Sequence, residues 1–361
     1  MKKLADSGVK WIRLDLLWEP TEREKNTYDF SSYDRLVQVL DQHDLKAMFI
    51  FAYGNPLYDG GMAPYTDEGR QAFARWAAAA AKRYAGKGYL WEIWNEPNAA
   101  MFWRPKPNAK NYSLLTLAVS RRFREAGLTE TLIGPASSGV DLNFIKTCFK
   151  TGLAQDWGAV SVHPYRRWLL PETAGISYSR LENLIRKFRP EGLAILSGEW
   201  GYSSVEFGLD EETQGKFLAR MWLFNLASGI PLSIWYDWRD DGDDPHNHEH
   251  HFGLVRKDLQ AKPAYLSAKT LTEELRGFRF VSRRSTGGSR DYLLEFSRGK
   301  ESRWAVWTSS PKSHQVLISG LSGRFQATDF DGKTIRILTA SEKGLEVTLR
   351  DGPQYLAPMP R

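Results

Sequence analysis

The chain has 361 residues, 42% hydrophobic and 25% charged, with a net charge of +6. This composition is typical of a globular protein and excludes a disordered or collagen-like chain, and no apolar stretch reaches the length of a membrane span. Lysine and arginine are scattered rather than clustered, so we expect a solvated basic surface and no nucleic-acid partner. The single cysteine, Cys148, excludes an internal disulfide framework.

From residue 1 to about 277, short apolar runs alternate with helical periods. The clearest helix follows Asp67, where Phe73, Trp76, Ala77 and Ala80 recur at the three-and-four spacing of one buried face. The alternation predicts a parallel sheet with helices outside it, and hence an α/β fold of the (β/α)8 TIM-barrel type. The predicted strands cover residues 10–18, 47–51, 90–94, 132–134, 159–162, 193–196 and 231–236.

These strands number seven, whereas a TIM-type barrel has eight. The chain opens with Lys2–Gly8, which has the pattern of the helix that follows a first strand. We therefore expect a barrel whose first strand is absent from this sequence, because a missing strand would otherwise leave two unpaired sheet edges. If the missing upstream segment carries an export signal, the protein is secreted or periplasmic.

After residue 277 the pattern changes to short strands separated by turn signals such as Gly287-Gly288. We predict a catalytic barrel over residues 1–277 and a small antiparallel, β-sandwich-like accessory module over 278–361. Trp304 and Trp307 would suit sugar binding by this module. Their odd spacing, however, places them on opposite faces of a strand, so at least one belongs to the core. The predicted strands cover residues 292–296, 304–307, 315–318 and 345–349.

Two glutamates, Glu96 and Glu199, directly follow apolar strands. Hydrolysis of a glycosidic bond with retention needs two carboxyl groups about 5–5.5 Å apart, one to attack the anomeric carbon and one to protonate the leaving oxygen. In a parallel barrel the carboxyl ends of the strands converge on one face, so glutamates far apart in sequence can meet there. A lone strand-end glutamate would more often serve a salt bridge or a helix cap.

The flanking residues make the pair more specific. The segment Trp94–Asn98 resembles the acid/base motif of clan A glycoside hydrolases, and Ser197–Tyr202 resembles their nucleophile strand. The segments Tyr53–Tyr58 and Val162–Tyr165 add a similarity to family 39, including its bacterial exopolysaccharide-hydrolysing members. The resemblance covers residues 1–277 and implies a retaining glycosidase with Glu96 as acid/base and Glu199 as nucleophile.

The resemblance also implies roles for further residues, and it implies no metal and no cofactor. Arg13 would support the Glu199 carboxylate and lower its pKa, and Asn95 would bind the sugar 2-hydroxyl. Where some clan members have a histidine, the run from Phe51 to Asn55 offers Tyr53 and Asn55 as sugar contacts instead. Three residues complete the predicted substrate site, namely His163 and Tyr165 along its wall and Trp235 as the platform beneath the sugar.

Two groups of residues leave alternatives open. The loop 240–251 is dense in aspartate and histidine, and it is either a solvated rim that touches substrate or a metal site. Four aromatic residues near strand ends would form outer sugar subsites or anchor loops from within, namely Tyr58, Trp103, Trp168 and Trp200.

The sequence therefore predicts a retaining hydrolase of β-glycosidic bonds that acts by double displacement. We expect endo action on a polysaccharide or exopolysaccharide, so the predicted partner is a saccharide substrate, with no membrane insertion. The alternatives are an exo-acting, β-xylosidase-like enzyme and a non-catalytic carbohydrate-binding barrel. A metal-dependent hydrolase built on loop 240–251 would leave the Asn95-Glu96-Pro97 motif without a function. The oligomeric state is left open.

Overall fold

The structure, a computed structural model, describes residues 1–205 and 208–360. Its centre is a parallel sheet of seven strands hydrogen-bonded in chain order, which confirms the seven predicted strands. The strands are β1 (Trp11–Leu17), β2 (Lys46–Ala52), β3 (Leu90–Ile93), β4 (Thr131–Ser138), β5 (Ala159–His163), β6 (Ala194–Trp200) and β7 (Ser233–Trp235).

Helices connect these strands, as the alternating pattern predicts. In α4, Thr66 caps the first turn by accepting from the backbone N–H of Gly69, and Phe73 and Trp76 are buried against the sheet side. The helices are α1 (Lys2–Asp6), α2 (Trp18–Thr21), α3 (Ser31–Gln42), α4 (Asp67–Arg83), α5 (Ala109–Glu125), α6 (Leu142–Phe149), α7 (Leu153–Asp156), α8 (Ala174–Phe188), α9 (Glu211–Ala227) and α10 (Pro263–Glu274). Among the described residues, every helix is too short or too polar to cross a bilayer.

The sheet curves into a nearly closed barrel. Its order begins at β1 and ends at β7, and some Cα atoms of these two strands lie within 8 Å of each other. A small apolar cluster that includes Met48, Ile133 and Leu196 fills part of the interior. Other inward positions carry charged and polar groups, among them Arg13 and Glu92. The predicted TIM-type architecture is confirmed, with seven strands in this chain.

The C-terminal part is antiparallel, as predicted. Six strands form one sheet in the order β13-β12-β15-β10-β9-β8, and β11 pairs with β14 in a second sheet. Four of the eight strands lie outside the predicted ones, namely β8, β12, β13 and β15. The strands are β8 (Arg279–Arg284), β9 (Asp291–Arg298), β10 (Glu301–Thr308), β11 (His314–Ile318), β12 (Arg324–Asp329), β13 (Ile335–Thr339), β14 (Leu345–Leu349) and β15 (Gln354–Pro358).

The six-stranded sheet packs one face on helices α9 and α10 of the barrel. Trp307 lies in the cluster that these helices share with the sheet, whereas Trp304 lies in a separate cluster with residues of the β11–β14 pair. Both rings are buried on opposite faces, which confirms the prediction from their spacing. A buried ion pair between Arg220 and Glu172 also reaches the module, because the Trp307 indole N–H donates to Glu172 over 2.8 Å.

Candidate active site

The two predicted glutamates meet at the carboxyl end of the barrel. Glu96 lies in the turn that follows β3, and Glu199 is the penultimate residue of β6. One carboxylate oxygen of each, together with a ring nitrogen of His163, forms a group whose atoms all lie within 4.8 Å of one another. Both carboxylates remain partly open to solvent, at 13% and 18% exposure. The pair is therefore accessible to a substrate and close enough to act on one atom.

The turn that carries Glu96 has an unusual backbone. Trp94 and Glu96 both adopt positive φ, at 66° and 44°, a region that side-chain-bearing residues seldom occupy. Neighbouring strands fix this conformation, because the Trp94 N–H donates to the Phe51 carbonyl and the Glu96 N–H donates to the Ala136 carbonyl, at 3.1 and 3.0 Å. Such conformations cost about 1–3 kcal/mol and cluster at functional sites.

Arg13 connects Glu199 to the barrel interior through three hydrogen bonds. From β1, its guanidinium donates to Glu199 over 2.7 Å, to Asn95 over 2.7 Å and to Glu92 over 2.6 Å. The guanidinium is 6% exposed, so these bonds form in a low-dielectric environment in which charge-assisted contacts are strong. The predicted support of Glu199 by Arg13 is thus present as a direct ion pair.

The surroundings of Glu199 keep it ionised. Burial is the largest single influence and by itself would raise the pKa, but His163, Arg13 and a hydrogen bond from Tyr165 together lower the pKa below its ordinary value. The Tyr165 hydroxyl donates to the second Glu199 oxygen over 2.8 Å. Burial, followed by the charge of Glu199, raises the pKa of Tyr165 well above its ordinary value, so this hydroxyl keeps its proton and stays a donor.

His163 contacts the other carboxylate. This fully buried residue ends β5, and its Nδ1 lies 2.9 Å from a Glu96 oxygen but 3.9 Å from Glu199. An imidazole nitrogen can accept from a protonated carboxyl group or donate to an ionised one, so the contact is compatible with both protonation states of Glu96. The predicted site residue is therefore in place, with its hydrogen bond directed to Glu96.

Asn95 and Tyr53 lie beside the pair, whereas Trp235, the predicted platform, is only 8% exposed and packs with Tyr202 in the hydrophobic core. The Asn95 carbonyl oxygen accepts from Arg13, which leaves its N–H groups to bind other acceptors. Tyr53 follows β2 and packs edge-on against Trp94, while burial and then Asp15 raise its pKa. Trp235 ends β7, where its indole N–H donates to the Phe252 carbonyl over 3.0 Å and holds the ring in place.

Comparison with known proteins agrees with this geometry. The family model of cellulases, glycosyl hydrolase family 5, matches residues 1–241. The chain belongs to this family of glycosidases. It is a clan A glycoside hydrolase, so the resemblance seen in the motifs is confirmed. No curated protein matches the sequence.

Solved structures of glycoside hydrolases share the whole fold of this glycosidase. A family 39 glycoside hydrolase from Bacteroides cellulosilyticus WH2 superposes with a TM-score of 0.85 at 24% identity, over 99% of this chain and 77% of that one. A family 39 β-xylosidase from Caulobacter crescentus gives 0.73 at 16% identity, covering 99% and 92%. A family 30 xylanase from Clostridium acetobutylicum gives 0.69 at 13% identity, also covering 99% and 92%.

Asn55 is a further predicted substrate contact that the protein itself encloses. Asn55 is only 1% exposed, its amide N–H donates to the Glu22 carbonyl, and its oxygen accepts from the Leu57 N–H. Both ends of the side chain are thus occupied by backbone groups. We therefore assign Asn55 to the anchoring of the loop after β2.

The four aromatic residues predicted either to bind outer sugars or to anchor loops differ in burial. Tyr58, Trp103 and Trp200 are buried, and Tyr58 and Trp103 pack on other aromatic rings of the glycosidase core. They therefore anchor loops from within. Trp168, in contrast, is 57% exposed. It is the one of the four that keeps a free surface for a sugar.

The site also contains two carboxylates that the sequence reasoning missed. Glu92 is fully buried on β3 and pairs with Arg13, and Asp15 lies two residues after Arg13 on the same side of β1. Burial, with a smaller contribution from Glu199 and Glu92, raises the pKa of Asp15 against the opposing charge of Arg13. A signal existed for both, because a glutamate inside the apolar run of β3 and an Arg-x-Asp alternation on β1 are unusual in a barrel core.

Two histidines of loop 240–251, His250 and His251, are engaged in hydrogen bonds within the loop. The His250 ring accepts from the Asp244 N–H over 3.2 Å, and His251 Nε2 lies 2.7 Å from the Asp244 carbonyl. A buried ion pair between Asp240 and Lys262, 3.0 Å long, fixes the start of the loop. Within residues 1–205 and 208–360, the group with metal-ligand spacing consists of Glu96, His163 and Glu199 rather than residues of this loop.

Proposed function

We propose that this glycosidase cleaves β-glycosidic bonds with retention of configuration, with Glu199 as nucleophile and Glu96 as acid/base. The observation that supports this most directly is the separation of the pair, with an oxygen of each carboxylate within 4.8 Å. A retaining enzyme needs carboxyl groups about 5–5.5 Å apart, whereas an inverting one needs about 6.5–9.5 Å to fit a water molecule. The different surroundings of the two glutamates support the division of roles.

In the first step Glu199 attacks the anomeric carbon. Its carboxylate is ionised and is oriented by Arg13 and Tyr165, which bind different oxygens. Protonated Glu96 donates to the glycosidic oxygen, the bond from this oxygen to the anomeric carbon breaks, and a glycosyl ester forms on Glu199. We assign the N–H groups of Asn95 to binding of the sugar 2-hydroxyl, a contact that strengthens in the transition state.

In the second step water reverses the chemistry. Glu96, now ionised, takes a proton from the water as it attacks the anomeric carbon, and Glu199 leaves as a carboxylate. The positive charge of Arg13 stabilises the returning carboxylate. The His163 contact remains available to Glu96 in both steps because its ring nitrogen can change between accepting and donating. Two inversions give net retention.

For the substrate, we propose a polysaccharide that is cleaved internally. The open, aromatic rim at Trp168 supports binding of a chain longer than one sugar. The second candidate is exo action on β-xylosides, which is favoured by the similarity to the Caulobacter crescentus β-xylosidase. The supporting residues around both glutamates argue against a non-catalytic sugar-binding barrel, which would not need them.

A substrate panel tests this proposal. Purified protein is incubated with 4-nitrophenyl β-glycosides of several sugars and with β-linked polysaccharides, and products are resolved by size and by anomer. We expect oligosaccharides of mixed length from the polysaccharide and the β-anomer as the first product. Release of monosaccharides alone from chain ends would favour the exo candidate. The α-anomer as first product would contradict the retaining mechanism.

A further inference from the structure

Trp168 is a large aromatic side chain held at the surface. It is 57% exposed, in a tight turn after β5 in which the Leu169 N–H donates to the Arg166 carbonyl over 2.9 Å. The buried Tyr202 hydroxyl donates to the Leu169 carbonyl over 3.0 Å and ties the turn to the barrel. A fixed turn that leaves an indole in solvent forgoes the stabilisation that burial would give, which points to a surface kept for binding.

A continuous series of ring contacts joins this tryptophan to the nucleophile. Trp168 packs edge-on against His248 at 6.1 Å, and His248 packs against Phe252 at 4.8 Å. Phe252 in turn contacts Tyr165 at 6.2 Å, and Tyr165 donates to Glu199. Each ring contact is nearly perpendicular, so successive rings hold one another in orientation. Trp168 therefore stands at a fixed distance from Glu199, several rings away.

The loop 240–251 supports the Trp168 ring through His248. His248 begins a short 3-10 helix, His248–His251, whose His251 carbonyl accepts from the Ser204 N–H and from the side chains of Gln214 and Lys262. The indole also lies near Gly208, where a methyl group would be only 3.6 Å from its Cζ3 atom. These contacts restrain the ring while 57% of the residue stays exposed.

We propose that Trp168 is a sugar-stacking platform at an outer subsite, and that the histidine-rich loop positions it through His248. The occupant is a pyranose ring of the same glycan chain whose bond is cleaved between Glu96 and Glu199, because the ring contacts connect the two places. A sugar ring presents a flat face of C–H groups, which can stack on the exposed surface of an indole. This inference rests on the proposed function, since it assigns a second binding position to the same substrate.

The test compares a short and a long substrate. The short one is the 4-nitrophenyl β-glycoside that the wild-type protein hydrolyses best, and the long one is the β-linked hexasaccharide of the same sugar. For Trp168→Ala we expect kcat/KM on the hexasaccharide to fall about three- to tenfold, since aromatic contacts of this kind contribute about 0.5–1.5 kcal/mol. The aryl glycoside, which does not reach the rim, should be hydrolysed at the wild-type rate.

Matched variants separate a platform from a general disturbance of the turn. Leu169→Ala removes a neighbouring side chain that is 60% exposed and should leave both substrates unaffected. Trp168→Phe should restore part of the loss on the hexasaccharide. An equal loss on both substrates, or no loss on either, overturns the platform while leaving the hydrolase intact. Failure of the wild-type protein to hydrolyse any glycoside overturns the proposed function itself.

Discussion

Two buried arginine–glutamate networks in this molecule use similar contacts in different settings. Between the barrel and the β-module, Arg220 makes two hydrogen bonds of 2.8 and 2.7 Å to Glu172, whose carboxylate also accepts from Trp307. At the carboxyl end of the barrel, Arg13 bonds to Glu92 and Glu199 over 2.6 and 2.7 Å. The first network has only protein partners, whereas the second ends in a carboxylate that remains partly exposed to solvent.

This comparison shows how one type of interaction serves stability in one place and reactivity in another. In the module interface, Arg220 and Glu172 neutralise each other's charge. Loss of either charge should therefore lower the stability of the folded protein. In the barrel, Glu92 balances the charge of Arg13, and the remaining interaction orients Glu199 without covering it. Changes there should be felt in the rate and in its pH dependence. Four variants test this division, in order of decreasing expected effect.

Removal of the proposed nucleophile, Glu199, should have the largest effect. We expect Glu199→Ala to lower kcat by about 10³-fold or more, because no other group can form the glycosyl ester. Thermal unfolding should show little loss of stability, since a partly exposed carboxylate is removed. Steady-state kinetics on the best aryl glycoside measures the first effect and calorimetry the second. Near-normal turnover by this variant would exclude Glu199 as nucleophile.

Breaking the interface pair should affect folding instead. Glu172→Gln leaves Arg220 buried without a counter-charge, so we expect the free energy of unfolding to fall by about 3–5 kcal/mol while kcat at low temperature stays unchanged. Denaturant titration provides the measurement. The control is Glu182→Gln, which breaks an exposed pair with Arg186 and should cost at most about 0.5 kcal/mol. Similar losses for the two variants would contradict the contrast drawn above.

The buried partner of Arg13 should influence the pH profile. Glu92→Gln keeps the shape of the side chain but removes a negative charge near Glu199, so the pKa of Glu199 should fall further. Because Glu199 must be ionised, the acid limb of kcat/KM should move to lower pH, and a loosened Arg13 should reduce kcat about ten- to hundredfold. A loss of rate with an unchanged acid limb would assign Glu92 a packing role only.

Removal of the Tyr165 hydroxyl, which donates to Glu199, should produce the smallest change. The pKa of Glu199 should then shift in the direction opposite to that expected for Glu92→Gln. Tyr165→Phe removes a donor to the ionised carboxylate, so the pKa of Glu199 should rise and the acid limb should move to higher pH. The displacement should be at most about one pH unit, since one hydrogen bond contributes about 0.5–1.5 kcal/mol. A pH–rate profile recorded beside that of Glu92→Gln makes the comparison direct. If the acid limbs of the two variants moved in the same direction, the proposed electrostatics would be contradicted.

Much of this molecule could be predicted from its sequence, because buried parallel strands and amphipathic helices leave strong patterns. The seven barrel strands, the helix that follows Asp67 and the opposite faces of Trp304 and Trp307 all followed from periodicity. Strands β8 and β13 escaped because alternate residues face solvent and several are charged, which weakens the apolar signal. In β15 a terminal proline and a short length had the same effect.

The meeting of Glu96 and Glu199 at the carboxyl end of the barrel could also be predicted, but only part of the surroundings of this pair could. Glu96 and Glu199 were identifiable because characteristic residues flank them, whereas the pairing of Arg13 with Glu92 depends on which side chains the barrel turns inward at the same height. Asn55 and Trp200 looked like site residues but are buried, because loop packing decides exposure and leaves little trace in a single sequence.

Trapping of the covalent intermediate tests the central claim most directly. A 2-deoxy-2-fluoro β-glycoside with a good leaving group slows both steps but the second more, so the glycosyl ester accumulates and can be located by mass spectrometry of peptides. The account predicts one sugar per chain, attached to Glu199, and release of the adduct when a glycosyl acceptor is added. Attachment at Glu96 or at any other residue would contradict it.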